Sequence, residues 1–141
     1  MAEQTMTEQT IEKVMQGAGQ GGEGTAGNTA DSLVLAKRLR DIIEDKKGVD
    51  VIILDISRMS SFADFFVNAT ATNTRMLSTL VDEVGKGIEL TGTLPRGIEG
   101  RAETGWVLVD GGDVIVNLFL AAERDKYQIE KIWADAQYIE D

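Results

Sequence analysis

Two apolar runs on either side of a glycine turn form the clearest pattern in the chain. The runs are Trp106–Val109 and Val114–Leu120, and the turn at residues 110–113 reads D-G-G-D. Glycine adopts the positive φ that a tight connection between two strands needs. Apolar runs of this length around such a turn are typical of a β-hairpin, and we predict one here.

The rest of the apolar pattern predicts two long helices and three further strands. Apolar residues at helical spacing predict helices from 31 to about 47 and from 72 or 73 to about 90. Nearly continuous apolar runs predict strands at Val49–Ile56, which we expect to be buried on both faces, and at Phe62–Thr70. Arg96–Gly100 is short and Gly-rich, so it predicts a strand at an edge of the sheet.

The chain is predicted to end in one more helix. Arg124, Tyr127 and Lys131 recur at spacings of three and four and would line one side of it. The acidic residues after Trp133 are expected to fray. The order helix, strand, strand, helix, short strand, hairpin, helix indicates a mixed sheet with helices packed on it, in the α/β or α+β class.

Residues 1–30 are predicted to form a tail that precedes one domain of residues 31–141. Residues 10–16 can form a short helical turn, but the next stretch reads G-A-G-Q-G-G-E-G-T-A-G-N and lacks apolar anchors. We interpret it as a flexible linker and expect removal of residues 1–28 to leave thermal stability unchanged. A phosphate-binding loop is the alternative, but no strand precedes these glycines and no G-K-[ST] follows them.

The composition excludes several kinds of chemistry. The 141 residues contain no cysteine and no histidine, which removes disulfides, the usual zinc ligands and the usual general base. No run of about 18 apolar residues is present, so we expect no membrane span, and we expect no signal peptide either. Cytoplasm is the expected location, and no metal or other cofactor is expected.

The net charge of −10 limits the partners of the chain. Binding to a nucleic-acid backbone needs a basic face that releases counterions, and an acidic chain is repelled by phosphates. Direct RNA or DNA binding is therefore not expected, and a basic protein fits the charge better as a partner. Acidity that only maintains solubility is the other interpretation.

Acidic side chains are the only group from which catalysis could be built. The set is Asp55, Asp64, Glu99, Asp110 and Asp113. Paired carboxylates bind magnesium or transfer protons, but Asp110 and Asp113 flank the predicted turn, where aspartate commonly bonds to the local backbone. The turn interpretation is favoured. Neither a P-loop nor a G-x-S-x-G elbow is present, so no catalytic or metal-binding residue is assigned.

Large amphipathic side chains gather where the predicted hairpin meets the last helix. Trp106, Arg124 and Tyr127 are residue types that commonly anchor protein interfaces, although the same residues would also suit a core. Asn117 adds a polar group on the second strand of the hairpin. The hairpin and the helix are thus predicted to form a docking surface for a partner.

Several motifs resemble one protein family. In chain order they are I-L-D-I-S, S-F-A-D-F-F-V-N-A-T-A-T-N-T-R, G-I-E-G, W-V-L-V-D-G-G-D-V-I-V-N and R-D-K-Y-Q-I-E-K-I-W. The sequence from about Asp31 to Trp133 is similar to the ribosomal silencing factors, also called the RsfS, Iojap or YbeB-like family. The tail lies outside the resemblance.

The resemblance implies both a fold and a function. The fold would be a two-layer α/β domain with a five-stranded mixed sheet, related in topology to nucleotidyltransferases but without their catalytic carboxylates. Members of the family bind large-subunit ribosomal protein number fourteen, block joining of the small subunit sterically and repress translation when nutrients are short. Organelle relatives support assembly of the large subunit. A protein of this kind is not an enzyme.

By motif, the resemblance also implies which residues would contact the partner. The stronger candidates are Trp106, Asp110, Arg124 and Tyr127, and the weaker ones are Asp64 and Glu99. Asn117 is a departure, because many members have histidine there. Asparagine keeps the hydrogen bonding of histidine but cannot titrate.

Two alternative functions and the oligomeric state stay open at this point. One alternative is a magnesium-dependent, nucleotidyltransferase-like enzyme that uses Asp64, Asp110 or Asp113. Another is a large-subunit assembly factor without a silencing role. An exposed edge or apolar patch near the hairpin could also pair two copies into a homodimer, which would compete with docking.

Overall fold

The computed structural model describes residues 11, 12, 14, 15 and 29–140, in which helices and strands follow one another closely. The elements are helix α1 (Thr29–Asp45), strands β1 (Val49–Asp55) and β2 (Phe65–Ala71), helix α2 (Thr74–Glu89), strand β3 (Gly97–Arg101), a 3-10 turn (Ala102–Thr104), strands β4 (Trp106–Asp110) and β5 (Val114–Leu120), helices α3 (Ala121–Tyr127) and α4 (Ile129–Ile132), and strand β6 (Gln137–Tyr138).

The strands form one mixed sheet in the order β3-β4-β5-β2-β1-β6. β2 and β5 pair in parallel, and the other neighbouring pairs are antiparallel. The α/β class is therefore confirmed, but the sheet has six strands rather than five. The sixth strand, β6, pairs with β1 where we expected the C-terminus to fray, because the edge of β1 offers backbone groups that the last residues satisfy. Ile139 N donates to Ile53 O at 2.9 Å there.

Alternate residues of the central strands divide the interior into two clusters, one on each face of the sheet. Val67 of β2 and Val116 of β5 belong to the cluster on the first face, which α1 and α2 cover. Successive side chains of a strand point to opposite faces, so the next residues, Asn68 and Asn117, project from the second face. The second face is covered by short pieces of chain, including α4 and residues 11–15.

The two long helices pack closely on the first face. Asn73 caps α2, and its Oδ1 accepts a hydrogen bond from Met76 N at 2.8 Å, so the predicted start of this helix is confirmed. A Cβ at Gly87 would lie 2.6 Å from Ile42 Cδ1. A larger residue at this position would require the side chains of Ile42 and Leu39 on α1 to shift.

The hairpin and the edge strand are confirmed. Gly111 N donates to Val114 O at 2.9 Å, and Gly112 has a φ of 93°, as the tight turn requires. Asp110 Oδ1 accepts from Gly112 N at 2.8 Å, so this carboxylate serves the turn. β3 lies at the edge of the sheet with Ile98 exposed, and pairing of two copies at this edge stays a prediction.

The first two strands differ in detail from the prediction. β1 is fully buried only at Ile53 and Leu54, so the expectation that it is buried on both faces was wrong for the rest of its length. β2, by contrast, is buried throughout. It begins at Phe65 rather than Phe62, because Ser60 Oγ accepts from Phe62 N at 2.9 Å and holds the preceding residues in a turn.

The predicted C-terminal helix is interrupted, so the prediction of one continuous helix was wrong. Gln128 takes φ 51° and ψ 50°, the left-handed conformation, and separates α3 from α4. The break carries Trp133 into the cluster on the second face while Arg124 and Tyr127 stay on α3. Arg124, Tyr127 and Lys131 therefore do not line one helix.

Ile11, Val14 and Met15 of the N-terminal segment contact the domain, which corrects the expectation that the tail makes no contribution to it. The described residues of this segment are helical, as predicted. Val14 is 1% exposed, and Trp133 Nε1 donates to its carbonyl oxygen at 2.7 Å. Removal of residues 1–28 would uncover apolar surface and leave the indole N–H without this acceptor, so we now expect it to lower thermal stability. The predicted Gly-rich linker lies outside the described residues.

Candidate docking site

A chain of hydrogen bonds crosses the second face of the sheet. Trp106 Nε1 donates to Asn117 Oδ1 at 3.1 Å, and Asn117 Nδ2 donates to Asn68 Oδ1 at 3.0 Å. Asn68 Nδ2 donates in turn to Glu130 Oε2 at 2.9 Å. Both asparagines are buried and stand opposite each other in the pairing of β2 with β5. Each amide thus uses its oxygen and its nitrogen, and the bonds run in one direction from Trp106 to Glu130.

Arg124 closes this chain of bonds at the surface. Its Nη2 donates to Glu130 Oε2 at 3.0 Å. Its Nη1 donates to Thr70 Oγ1 at 2.8 Å and to the backbone oxygen of Asp50 at 2.9 Å. Acceptors from three elements therefore fix the guanidinium, whose side chain is 15% exposed. A cation that is already fixed loses little conformational entropy when it meets a partner.

The backbone of Asp50 has an unusual conformation at this site. Its φ is 52°, in the left-handed region that aspartate tolerates better than most residues. The register of β1 against β2 shifts between Val49 and Ile52. This irregularity frees the carbonyl of Asp50 from the regular ladder and makes it an acceptor for Arg124.

Three aromatic rings pack together beside the hydrogen-bond chain. The centroid of Trp106 lies 5.3 Å from that of Phe119, with nearly parallel planes, and 4.7 Å from that of Tyr127. Trp106 is only 4% exposed, so it belongs to the core. Tyr127 is the partly exposed outer ring of the three and is tilted by 48° against Trp106, and Lys126 Nζ lies 5.4 Å from its centroid. The surface here is an aromatic ring with cations on α3 beside it.

Six of the seven predicted docking residues lie on the second face or its rim. Glu99 pairs with Leu108, and Asp110 pairs with Ile115, and both of these apolar partners belong to the second cluster. The six are Trp106, Asp110, Asn117, Arg124, Tyr127 and Glu99. The buried members, Trp106 and Asn117, shape the surface from inside. Direct contact with a partner stays a prediction for every member of the set.

Asp64 is the predicted docking residue that lies elsewhere. It is buried, and Ser32 Oγ of α1 donates to its Oδ2 at 2.9 Å. Its backbone N donates to Asp113 O at 2.7 Å. The side chain thus ties α1 to the start of β2, on the side of the sheet away from the hydrogen-bond chain.

Ser32→Ala tests the structural role of Asp64. We expect the free energy of unfolding to fall by about 2 kcal/mol, because the variant removes a hydrogen bond to a buried carboxyl group. Denaturant unfolding measures the loss. Ser78→Ala, at an exposed position of α2, is the matched control and should change stability by less than about 0.5 kcal/mol. A Ser32→Ala protein as stable as the wild type would contradict this role.

Sequence reasoning missed three residues of the site: Asn68, Thr70 and Glu130. They supply acceptors or donors to Asn117 and Arg124 from β2 and α4. A signal was present for Asn68, because it interrupts the apolar run F-F-V-N-A-T as Asn117 interrupts V-I-V-N-L-F. For Glu130 no local signal separates it from the other acidic residues of the C-terminal region.

A magnesium-dependent enzyme needs an assembled carboxylate site, and the described residues contain none. No three His, Cys, Asp or Glu side chains come together in this part of the chain. Asp64 bonds to Ser32, and Asp110 serves the hairpin turn. In the same described ranges, no helix is both long enough and apolar enough to cross a membrane.

Comparisons with known proteins agree on one family. The family model described as ribosomal silencing factor during starvation, RsfS, matches residues 29–141. A ribosomal silencing factor RsfS of Chromobacterium violaceum is 37% identical over 99 residues, which cover 70% of this chain and 81% of the relative. A crystal structure of a protein from the same organism has a TM-score of 0.69 and 36% identity, covering 72% of this chain and 85% of that one.

A mouse protein extends the comparison to organelles. It is named mitochondrial assembly of ribosomal large subunit protein 1 and is 26% identical over 98 residues, which cover 67% of this chain and 43% of the relative. The family model spans every element from α1 to β6 and so includes the whole hydrogen-bond chain. The resemblance that the motifs indicated is confirmed, and the chain belongs to the RsfS family of ribosomal silencing factors.

Proposed function

We propose that this protein docks on the large ribosomal subunit through large-subunit ribosomal protein number fourteen and prevents the small subunit from joining. A domain that occupies the joining face acts by excluded volume, so the protein represses translation under nutrient limitation without catalysis. It acts in the cytoplasm, where the subunits join. The name of the Chromobacterium relative, ribosomal silencing factor, and the reference to the ribosomal large subunit in the name of the mouse relative support this proposal.

The observation that carries the proposal is a fixed cation beside a partly exposed aromatic ring. Arg124 is held by Glu130 and Thr70, and Tyr127 packs on the buried ring of Trp106. Tyrosine and arginine are among the residues that contribute most to protein interfaces. Because both side chains are already ordered, little of the binding free energy is lost in ordering them.

Charge favours the same kind of partner. The chain carries a net charge of −10, and a basic ribosomal protein provides the opposite field. Opposite fields accelerate the encounter of two proteins and favour one orientation of approach. The half-buried carboxylates of Glu99 and Asp110 lie on the docking face and would meet basic side chains of the partner.

Tyr127→Ala is expected to weaken binding to isolated large subunits at least tenfold, because it removes the aromatic anchor. The matched control is Tyr138→Ala on β6, since Tyr138 is 47% exposed. Tyr138 pairs with Leu54 and so projects from the same face, but four strand spacings of about 4.8 Å separate β6 from β4, so the control lies about 19 Å from Trp106. Arg124 is a poorer probe, because its loss would leave Glu130 without its ion pair. Co-sedimentation with large subunits measures the affinity.

Sucrose-gradient sedimentation of mixed subunits tests the silencing step. Wild-type protein and Tyr138→Ala should migrate with large subunits and lower the fraction of joined ribosomes, and Tyr127→Ala should do neither at the same concentration. Equal binding of the two tyrosine variants would place the docking site elsewhere. Wild-type protein that stays at the top of the gradient, with joining unchanged, would contradict the proposed function.

Assembly of the large subunit is the second candidate function. The name of the mouse relative refers to mitochondrial assembly of this subunit. An assembly factor without a silencing role predicts that cells lacking the protein accumulate immature large subunits, while joining of mature subunits in vitro is unaffected by added protein. The sedimentation experiment therefore separates the two functions.

A further inference from the structure

Residues 11–15 precede the part of the chain that the family model matches, yet Ile11, Val14 and Met15 of this segment pack into the domain. Val14 is buried in the cluster of the second face, and Ile11 and Met15 pack against the same cluster. The indole of the buried Trp133 donates to the carbonyl oxygen of Val14 at 2.7 Å. A short helical segment from outside the family domain thus covers part of the second face.

The segment shares this face with the proposed docking residues. Val14 belongs to the same apolar cluster as Trp106, and the ring of Trp106 contacts Tyr127. Glu99 and Asp110 also project from this face, next to apolar members of the cluster. A partner that approaches the second face therefore meets residues 11–15 as well as the docking residues.

We propose that residues 11–15 form an intramolecular cover that competes with the ribosomal partner, so that docking on the large subunit is held back until the segment is displaced. This inference rests on the proposed function, because it assigns a regulation to the same site. The cover is a property of this chain's N-terminal extension and not of the residues that the family model matches.

The contacts of the cover suit reversible docking. Among the described contacts are the deeply buried side chain of Val14, the partly buried side chains of Ile11 and Met15, and the hydrogen bond from Trp133. These gains must offset the conformational entropy of ordering the segment, and the two opposing contributions are of similar size. Covalent linkage keeps the released segment near its site, so a partner displaces it by competition.

Val14→Asp in the full chain tests the cover. A carboxylate at this buried position would be placed in an apolar cluster, so the variant should release the segment. We expect affinity for purified large subunits to rise about tenfold, and amide exchange at residues 11–15 to become faster. Val34→Asp is the matched control, because Val34 on α1 is 60% exposed, and its affinity should equal that of the wild type. Val14→Ala, a milder change, should raise affinity about threefold.

The outcomes separate the cover from the docking function. Tighter binding by both Val14 variants, with Val34→Asp unchanged, supports the cover. Equal affinity of wild type and Val14→Asp, with fast exchange at residues 11–15, overturns it. Weaker binding of a folded Val14→Ala protein also overturns it, because the segment would then assist docking. If no variant and no wild-type protein binds large subunits, the proposed function fails, and the regulation assigned to it fails for that reason.

Discussion

Asn117→Leu is expected to lower the free energy of unfolding by about 3 kcal/mol, although leucine has the same branched shape as asparagine. The variant leaves Trp106 Nε1 without its acceptor and Asn68 Oδ1 without its donor. Both groups lie in the interior, where water cannot replace the lost partner. Each unsatisfied buried group costs about 1–3 kcal/mol, which exceeds what the extra apolar surface of leucine returns.

Asn117→His is the matched control for this prediction. Neutral imidazole has one nitrogen that accepts and one that donates, so it can serve Trp106 and Asn68 together. We expect a loss less than half as large as that of leucine when unfolding is measured at pH 8, where an ordinary imidazole, with a pKa of about 6.5, is neutral.

Denaturant unfolding followed by tryptophan fluorescence measures both variants. The ranking wild type, histidine, leucine is the expected order of stability. If leucine is as stable as the wild type, the hydrogen-bond chain does not stabilise the fold. If the histidine variant loses as much stability as the leucine variant, packing rather than hydrogen bonding determines the stability at this position. The directional chain from Trp106 to Glu130 would then have no special role.

Local chemistry explains what could be predicted of the fold. The D-G-G-D turn, the apolar runs and the short Gly-rich strand each depend on residues that are neighbours in sequence, and the hairpin and the edge strand were predicted correctly. The parallel pairing of β2 with β5 joins segments that are far apart in the chain. No local pattern states which strands become neighbours, so the sheet order was not predictable in the same way.

One backbone position shows why the C-terminal half was harder to predict. Gln128 takes a positive φ although it is not glycine. The residue pattern keeps its helical spacing through Gln128, so the sequence gives no signal that the helix breaks there. The energy that favours the break comes from burying Trp133 on the second face, which is a tertiary contact. A tertiary contact of this kind outweighs the local preference for a continuous helix.

Only part of the candidate site was predicted, for a related reason. Trp106, Arg124 and Tyr127 stand out by residue type, but their partners are distant in sequence: Asn68 lies 49 residues from Asn117 and 62 residues from Glu130. The informative signal was one polar residue in the middle of each of two apolar strands. Because a lone buried amide would be costly, two such residues in two buried strands indicate a pair.

Trp133→Ala is expected to have the largest effect on stability, a loss of about 3–5 kcal/mol. The side chain is fully buried, and its ring meets those of Phe66 and Phe62 edge-on at centroid distances of 5.1 Å and 6.1 Å. Alanine would leave a cavity between α4 and the sheet and remove the donor to Val14 O. We expect amide exchange to accelerate both at residues 11–15 and in β6. Denaturant unfolding measures the total loss.

Trp133→Phe separates the hydrogen bond from the packing. Phenylalanine keeps an aromatic ring in place but cannot donate to Val14 O, so we expect a smaller loss than for alanine. In a Val14→Asp background the segment is already released, and the hydrogen bond no longer contributes to the difference between tryptophan and phenylalanine. The cost of Trp133→Phe should therefore fall by about 1 kcal/mol in that background. An equal cost in both backgrounds would mean that the bond from Trp133 does not hold the N-terminal segment, and that Trp133 stabilises the fold through its packing alone.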